Sequence, residues 1–186
     1  MRIIGGTHRG TALAEVGKGD VGAHLRPTTD RVRESLFNVL QGGRFGDPIN
    51  GVRVLDLFAG TGALGLEALS RGAAHVTFVD SGRAAQKLIR ANIAKLRRQN
   101  DTTLFSIDAK QLSQGDPCNL IFLDPPYGQN LGAVALQFVL ANGWIAPEAL
   151  IVWEESRAQI APVGFNGLDQ RRYCLLYTSP SPRDRG

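Results

Sequence analysis

Asp124, Pro125, Pro126 and Tyr127 form one contiguous group that follows the apolar run at 119–123. Consecutive prolines fix φ at about −65° and lack an N–H, so the carbonyl oxygens of Asp124 and Pro125 can be held as rigid hydrogen-bond acceptors. With the Asp124 carboxylate, these acceptors suit the hydrogens of an amino group whose lone pair is delocalised into an aromatic ring. Tyr127 offers a face on which an unstacked base can lie. The group predicts catalysis at an exocyclic amine of a nucleic-acid base, and a rigid turn with a rim aromatic is the competing interpretation.

A second candidate site is the glycine-rich segment that ends the apolar run at 52–58. Gly60 and Gly62 let the backbone turn sharply and approach a ligand closely, because neither carries a Cβ. Such a loop at the end of the first strand of a parallel sheet is typical of a nucleoside-cofactor site, although glycines alone also make plain tight turns. We expect four residues of this segment to contact the cofactor, namely Asp56, Phe58, Gly60 and Gly62.

The acids around this loop favour a particular cofactor. Asp80 ends the second predicted strand, 24 positions after Asp56, where its carboxylate can accept both ribose hydroxyl hydrogens. Asp56 precedes the first glycine and suits a cationic ligand better than a pyrophosphate, which it would repel. S-adenosylmethionine carries a sulfonium and an ammonium and no phosphate, so we predict it rather than a nicotinamide dinucleotide. Asp108 ends the third strand and can receive the adenine amino group, although an acid there is also a common helix cap.

Apolar runs and helical patterns alternate along the chain and position these residues. The alternation predicts an α/β, doubly wound, mostly parallel Rossmann-like sheet. The predicted strands are 52–58, 75–79, 103–107, 119–123 and 149–153, and the predicted helices are 63–71, 82–99 and 131–140. An amphipathic helix at 30–40, capped by Thr29 or Asp30, precedes them. The first 28 residues read as a small β-hairpin extension.

Charge and composition restrict the partners. Lys and Arg outnumber Asp and Glu by 21 to 17, which permits a polyanionic partner without demanding one. No apolar run approaches the roughly 18 residues that cross a membrane, and the N-terminus has no secretory signal. Cys118 and Cys174 have no metal-like spacing, so we expect no metal and a reduced, cytoplasmic protein. Glu154 and Glu155 follow the fifth strand, where lining the cleft is one interpretation and a solvated acid pair is the one that we favour.

Taken together, the motifs resemble the bacterial 16S rRNA guanine-N2-methyltransferases, within the class I methyltransferase superfamily. The likeness covers residues 1 to about 173 and is carried by the segments 3–6, 9–10, 25–38, 56–62 and 124–127. It implies methylation of the N2 amino group of a guanine in 16S rRNA, with S-adenosylmethionine as methyl donor. The substrate would be free RNA or a partly assembled small ribosomal subunit, and the enzyme a monomer.

The resemblance also implies roles at the start of the chain. Arg26 and Thr28 would lie beside the methionine end of the cofactor, and the N-terminal hairpin would help to hold RNA. Arg31 and Arg33 lie close to Arg26 on the predicted face opposite the apolar side of helix 30–40, where solvated surface charge is an equally good interpretation. The expected RNA-binding residues are Arg2, Arg9, Arg26, Arg31 and Arg33.

The last residues depart from the family pattern. Two Ser-Pro steps at 179–182 cannot continue a central strand. We therefore expect a hairpin extension at 1–28, a methyltransferase domain at 29–176, and an atypical tail at 177–186 that is disordered or non-native, as a sequencing artefact would be.

Two alternatives to the guanine-N2 assignment stay open. The Asp-Pro-Pro-Tyr element is shared with adenine-N6 methyltransferases that act on DNA or RNA. An RNA-binding protein that has lost catalysis is the other alternative.

Overall fold

Five parallel strands form one sheet in the order β3-β2-β1-β4-β5 in the computed structural model. The strands are β1 (Arg53–Leu57), β2 (His75–Val79), β3 (Thr102–Phe105), β4 (Cys118–Leu123) and β5 (Ile145–Trp153). The structure describes residues 1–17, 28–126 and 128–155. The predictions for Arg26, Tyr127 and the tail at 177–186 therefore lie outside the described residues, whereas the predicted parallel α/β fold is confirmed.

Four α-helices connect and cover the strands. They are α1 (Asp30–Leu40), α2 (Ala63–Ser70), α3 (Arg83–Leu96) and α4 (Leu131–Ala141). The hydroxyl of Thr29 accepts a hydrogen bond from the Val32 N–H, 3.2 Å away, and so caps α1 as predicted. No helix among the described residues has the length and apolar character needed to cross a bilayer.

Three boundaries differ from the sequence prediction by more than one residue. The predicted helix at 82–99 ends early because Arg97 adopts a left-handed conformation, with φ of 56°. Strand β3 stops at Phe105, and Asp108 starts a one-turn 3₁₀ helix, Ala109–Gln111. Strand β5 begins at Ile145 rather than at 149. Its register against β4 shifts between Cys118 and Leu120, an irregularity that conceals the start of the strand in the sequence.

The helices cover both faces of the sheet. Helices α1, α2 and α3 bury apolar side chains on one face, and α4 covers the other with Leu136 and Val139. Gly65 of α2 lies so near the sheet that a Cβ there would meet the Phe78 ring at 2.5 Å and Val76 at 2.7 Å. Glycine is therefore required where α2 crosses β2.

The N-terminal hairpin shares the core of the sheet. The Ile3 N–H donates to the Thr11 carbonyl at 3.0 Å, and the Leu13 N–H donates to the Met1 carbonyl at 3.0 Å. Within residues 1–17 its β-ladder is one antiparallel bridge, and the side chains of Ile3 and Leu13 are buried in the core cluster. The described part of the predicted extension at 1–28 therefore has two antiparallel arms, which pack directly on α2 and α3.

A buried ion pair joins the hairpin, α1 and α2. Arg33 and Glu67 are both fully buried, with Nε and a carboxylate oxygen 3.3 Å apart. Glu67 also accepts hydrogen bonds from the backbone N–H groups of Ile4 at 2.9 Å and Gly5 at 2.8 Å. The Arg33 guanidinium donates to Asp30 and to a backbone carbonyl of the hairpin. The prediction that Arg33 faces outward is therefore wrong, because its guanidinium is buried and forms its hydrogen bonds inside the protein.

Candidate active site

The carboxyl ends of the central strands bring three acids to one edge of the sheet. Leu57 of β1 pairs with Val79 of β2 and with Leu123 of β4. Asp80 and Asp124 each follow one of those partners directly, so they flank the start of the β1–α2 loop. This edge is where the strand order reverses between β1 and β4, the position at which open α/β sheets bind ligands.

The loop after β1 is held in a strained conformation. Phe58 adopts a φ of 56°, which costs a residue with a Cβ about 1–3 kcal/mol, and Gly60 and Gly62 have φ of 60° and 80°. The Asp80 carboxylate accepts hydrogen bonds from the Gly60 N–H at 3.0 Å and the Gly82 N–H at 2.8 Å. The loop is thus fastened to the end of β2, with its backbone facing the sheet edge.

Asp56 lies beneath the loop. Its exposed fraction is 2%, and it accepts a hydrogen bond from the Gly65 N–H in the first turn of α2 at 3.0 Å. Burial raises the pKa of Asp56 well above its usual value, the Gly65 N–H opposes that rise, and the charges of Asp124 and Asp80 add to it. A cation at this edge would favour the ionised form of Asp56.

Asp124 lies at the end of β4 beside two other acids. Burial raises its pKa to about 7, the charges of Glu154 and Glu155 act in the same direction, and a hydrogen bond from the Thr28 side chain acts against them. The Glu154 N–H donates to the Leu123 carbonyl at 2.9 Å, which aligns the end of β5 with the end of β4. Glu154 and Glu155 are half-buried, and their charges act on Asp124, which favours the interpretation that they line the cleft.

The remaining predicted site residues are placed as follows. Pro125 is buried and Pro126 is exposed, so the chain leaves the sheet at this step. Asp108 caps the 3₁₀ helix that follows it, accepting from the Lys110 N–H at 2.8 Å, while its own N–H donates to the Gln111 side chain. Asp108 is therefore a helix cap, which was the alternative to its predicted role of binding the adenine amino group.

Three of the expected RNA-binding arginines are exposed. Arg2 and Arg9 lie on the hairpin, and Arg31 lies on α1. The Arg2 guanidinium donates to the Gly10 carbonyl at 2.8 Å, which links the two arms of the hairpin. The hairpin thus carries basic groups on its outer side.

One buried contact with the loop after β1 was not predicted from the sequence. Asn92 of α3 is fully buried, and its amide donates to the carbonyls of Thr61 at 3.0 Å and Ala14 at 3.1 Å. Its oxygen accepts from the Ala14 N–H at 2.6 Å. In the sequence, the sign of this contact is that Asn92 is a single polar residue among the apolar residues on the buried side of this helix.

The acids and the loop backbone at the carboxyl ends of the central strands fit a cationic nucleoside. No Lys or Arg of the described residues forms an ion pair with Asp56, Asp80 or Asp124. The mutual repulsion of these acids is therefore uncompensated by those side chains, and a ligand with positive charge and no phosphate would relieve it. The left-handed loop supplies backbone surface for close approach, and Asp80 supplies a carboxylate at its rim.

Comparison with known sequences gives a consistent result. Residues 1–174 match the family described as Conserved hypothetical protein 95. The ribosomal RNA small subunit methyltransferase D of Escherichia coli is 43% identical over 155 residues, which are 83% of this chain and 74% of the relative. The protein of the same name from Haemophilus influenzae is 36% identical over 162 residues, or 84% of this chain and 79% of the relative.

Solved structures agree with these relatives. The Escherichia coli protein yhhF superposes with a TM-score of 0.73 at 40% identity, covering 88% of this chain and 86% of that chain. The Thermus hypothetical protein TTHA0928 gives a TM-score of 0.68 at 30% identity, covering 93% and 94% of the two chains. With the ribosomal RNA small subunit methyltransferases D, this chain belongs to the Conserved hypothetical protein 95 family and is a methyltransferase of Rossmann-like fold.

Proposed function

We propose that this methyltransferase transfers a methyl group from S-adenosylmethionine to the exocyclic N2 amino group of a guanine in 16S rRNA. The observation that carries the proposal is the position of Asp124. It lies before two prolines, at the sheet edge that holds the glycine loop, in surroundings that raise its pKa to about 7. The names of the relatives support ribosomal RNA as the substrate class.

S-adenosylmethionine, when bound, supplies an activated methyl group on a sulfonium. Asp80 would hold the ribose hydroxyls, and the backbone of Gly60 and Gly62 would line the nucleoside. Phe58 adds apolar surface, and Asp56 adds negative charge near the amino-acid end. Around the rest of the cofactor we place Arg26, Thr28 and Asp108.

Asp124 acts on the attacking amine. Its ionised carboxylate would accept one amine hydrogen, and the carbonyl of Asp124 or Pro125 would accept the other. This arrangement favours the pyramidal nitrogen whose lone pair can form the new N–C bond while the S–C bond breaks. The amine gives up one proton, and Asp124 can receive it, because a group with a pKa near the working pH both accepts and releases protons readily. Most of the acceleration comes from orientation, since methyl transfer is an in-line displacement.

The substrate is held outside the sheet edge. Tyr127 would stack against the target base, and Arg2, Arg9, Arg26 and Arg31 would bind the phosphate backbone. Arg33 is left out of this set, because its guanidinium is buried. We further propose that the enzyme acts as a monomer in the cytoplasm, on free 16S rRNA or a partly assembled small subunit.

A transfer experiment with labelled cofactor tests the assignment. Unmodified 16S rRNA and unmodified small-subunit particles are incubated with the enzyme, and the RNA is digested to nucleosides. We expect labelled N2-methylguanosine. Labelled N6-methyladenosine would establish the adenine alternative, and RNA binding with no detectable cofactor binding by calorimetry would favour the binding-only alternative.

A further inference from the structure

Helix α3 differs from the other helices in its charge. With the two residues that follow it, α3 contains six basic residues and no Asp or Glu. These residues are Arg83, Lys87, Arg90, Lys95, Arg97 and Arg98. By contrast, α1 mixes acids with bases, α2 has Glu67 as its only charged residue, and α4 has no charged residue. Solvated helix surfaces usually mix acidic and basic residues, so a helix with six basic residues and no acid is unusual.

Three of these residues share one face of α3. Arg83, Lys87 and Arg90 are exposed and are separated by four and then three residues, the spacing that aligns side chains along a helix. We call them the α3 basic face. The rise of a helix places the first and last about 10 Å apart along the axis, a length over which one nucleic-acid strand presents roughly three phosphates. The face therefore matches the charge spacing of a backbone.

This arrangement is unfavourable for the isolated protein. Arg83 occupies the first turn of α3, where the helix dipole disfavours a cation. Arg83 and Lys87 are like charges four residues apart on the helix, and they repel each other. None of the described carboxylates forms an ion pair with Arg83, Lys87 or Arg90. A bound polyanion would remove each of these penalties.

The α3 basic face borders the hairpin at Lys87 and begins near the candidate active site at Arg83. Arg83 begins α3 three residues after Asp80, so it is near the catalytic edge of the sheet. Lys87 lines a groove of about 320 Å³ whose other wall is hairpin residues 14–17. Glu15, the acid in that groove, forms an ion pair with the Met1 ammonium at 3.0 Å. A strand that contacts the hairpin can therefore follow α3 toward the catalytic edge without meeting an unpaired acid of the groove.

We propose that the α3 basic face binds the phosphate backbone of the RNA substrate, next to the nucleotide that is methylated. The proposal rests on the proposed function, because it assigns a further contact surface to the same RNA. It adds a helix to a binding surface that sequence reasoning had limited to the hairpin, Arg26 and α1. Phosphate contacts of this kind fix the position of the RNA and do not read its sequence.

The test measures RNA affinity as a function of salt. The variant Arg83→Gln/Lys87→Gln/Arg90→Gln should bind unmodified 16S rRNA at least tenfold more weakly at about 0.1 M salt. The slope of log K against log salt should become shallower by about two to three, because each lost phosphate contact contributes about 0.7–0.9. Unchanged affinity and slope would overturn the proposal. The melting temperature and the Kd for S-adenosylmethionine verify that the variant is folded.

Single substitutions supply a matched control. Lys87→Gln should weaken RNA binding and reduce the slope by about one, whereas Lys110→Gln removes an exposed charge from the 3₁₀ helix and should change neither. Equal effects of the two substitutions would show a response to net charge alone and would overturn the proposal. So would a triple variant that binds naked RNA normally yet fails to modify small-subunit particles, since that result indicates an acidic protein partner.

The outcome is separable from that of the proposed function. Wild-type enzyme that binds 16S rRNA but transfers no label to guanine contradicts the proposed reaction, while the binding comparison between variants still tests α3. Wild-type enzyme that methylates guanine, with no effect of the α3 substitutions on affinity, contradicts only the α3 proposal. Wild-type enzyme that does not bind RNA contradicts both.

Discussion

The side-chain amide of Asn92 donates a hydrogen bond to the backbone carbonyl of Thr61, 3.0 Å away, inside the protein. The same amide group exchanges two hydrogen bonds with the backbone of Ala14. One buried side chain on α3 thus connects the N-terminal hairpin to the loop proposed to hold the cofactor. If RNA binding moves the hairpin, we therefore expect the cofactor loop to shift with it.

Replacing Asn92 by Ala should reduce both stability and cofactor affinity. The change leaves the Thr61 carbonyl and the Ala14 N–H without their partner, at a cost of about 1–3 kcal/mol for each buried group. The free energy of unfolding from urea titration and the Kd for S-adenosylmethionine measure the two effects. Asn119→Ala, on an exposed side chain of β4, is the control and should change neither. A destabilised variant with normal cofactor affinity would argue against the link to the loop.

Replacing Asp124 by Asn should lower kcat on the order of 100-fold or more while leaving the fold intact. Asparagine keeps the shape of the side chain but accepts a proton poorly and presents no negative charge to the amine. Single-turnover transfer of labelled methyl measures the loss, and calorimetry measures cofactor binding, which should persist. Retention of most of the activity would remove Asp124 from the proposed mechanism.

The pH profile should report the ionisation of Asp124. With a pKa of about 7, its carboxyl is protonated below neutrality, so kcat/KM should fall about tenfold per pH unit there and level off above pH 7. Glu154→Gln removes one of the charges that raise this pKa, and it should move the profile to lower pH. A wild-type profile that is flat between pH 5.5 and 8 is incompatible with this role.

The same raised pKa predicts that Asp124 destabilises the folded protein at alkaline pH. Its carboxyl has an unfolded pKa of 3.8 and a folded pKa of about 7, so the folded state binds more protons between these values and loses stability as pH rises. Asp124→Asn should therefore raise Tm at pH 8, by roughly 2–4 °C for each kcal/mol regained, and have little effect near pH 4. Asp116→Asn, on an exposed acid, serves as the comparison and should give no such gain. A Tm increase of equal size at both pH values would contradict the electrostatic explanation.

The buried ion pair should respond strongly to the loss of one partner. Glu67→Ala leaves the buried Arg33 guanidinium with only the partly exposed Asp30 as a counter-charge and removes the acceptor for two hairpin N–H groups. We expect a loss of about 3–5 kcal/mol in the free energy of unfolding, measured by denaturant titration. Glu34→Ala removes an exposed acid from α1, and its effect should stay within about 0.5 kcal/mol. Similar losses for the two variants would mean that burial of the pair is not the cause.

The sequence predicted the sheet well because its signals are local. Strand β2 and helix α1 begin and end at the predicted residues, since each shows a clear apolar period and α1 has the Thr29 cap. The start of β5 was not predicted, because Pro147 and Glu148 interrupt the pattern where the register shifts. Local pattern does not encode such an irregularity, which depends on the neighbouring strand.

The candidate site was predicted in part. Asp80 and Asp124 each follow a strand, and Asp56 is the penultimate residue of β1, so a parallel sheet had to bring them to one edge. The role of Glu154 depends on β5 lying beside β4, a pairing that the residues after 149 do not reveal. Arg33 was misplaced for a related reason, because only the packing of the hairpin on α1 and α2 encloses it. Contacts between distant segments were therefore the part that sequence reasoning could not supply.

The Glu67 carboxylate has a consequence for protein engineering. Because it binds the backbone of Ile4 and Gly5 from within the core, the hairpin is not an interchangeable module. A chimaera that receives the hairpin of a relative must also receive compatible residues at positions 33 and 67. Divergence of substrate preference in this architecture is therefore expected on the outward-facing side chains of the hairpin, while its inner side changes only together with the helices beneath it.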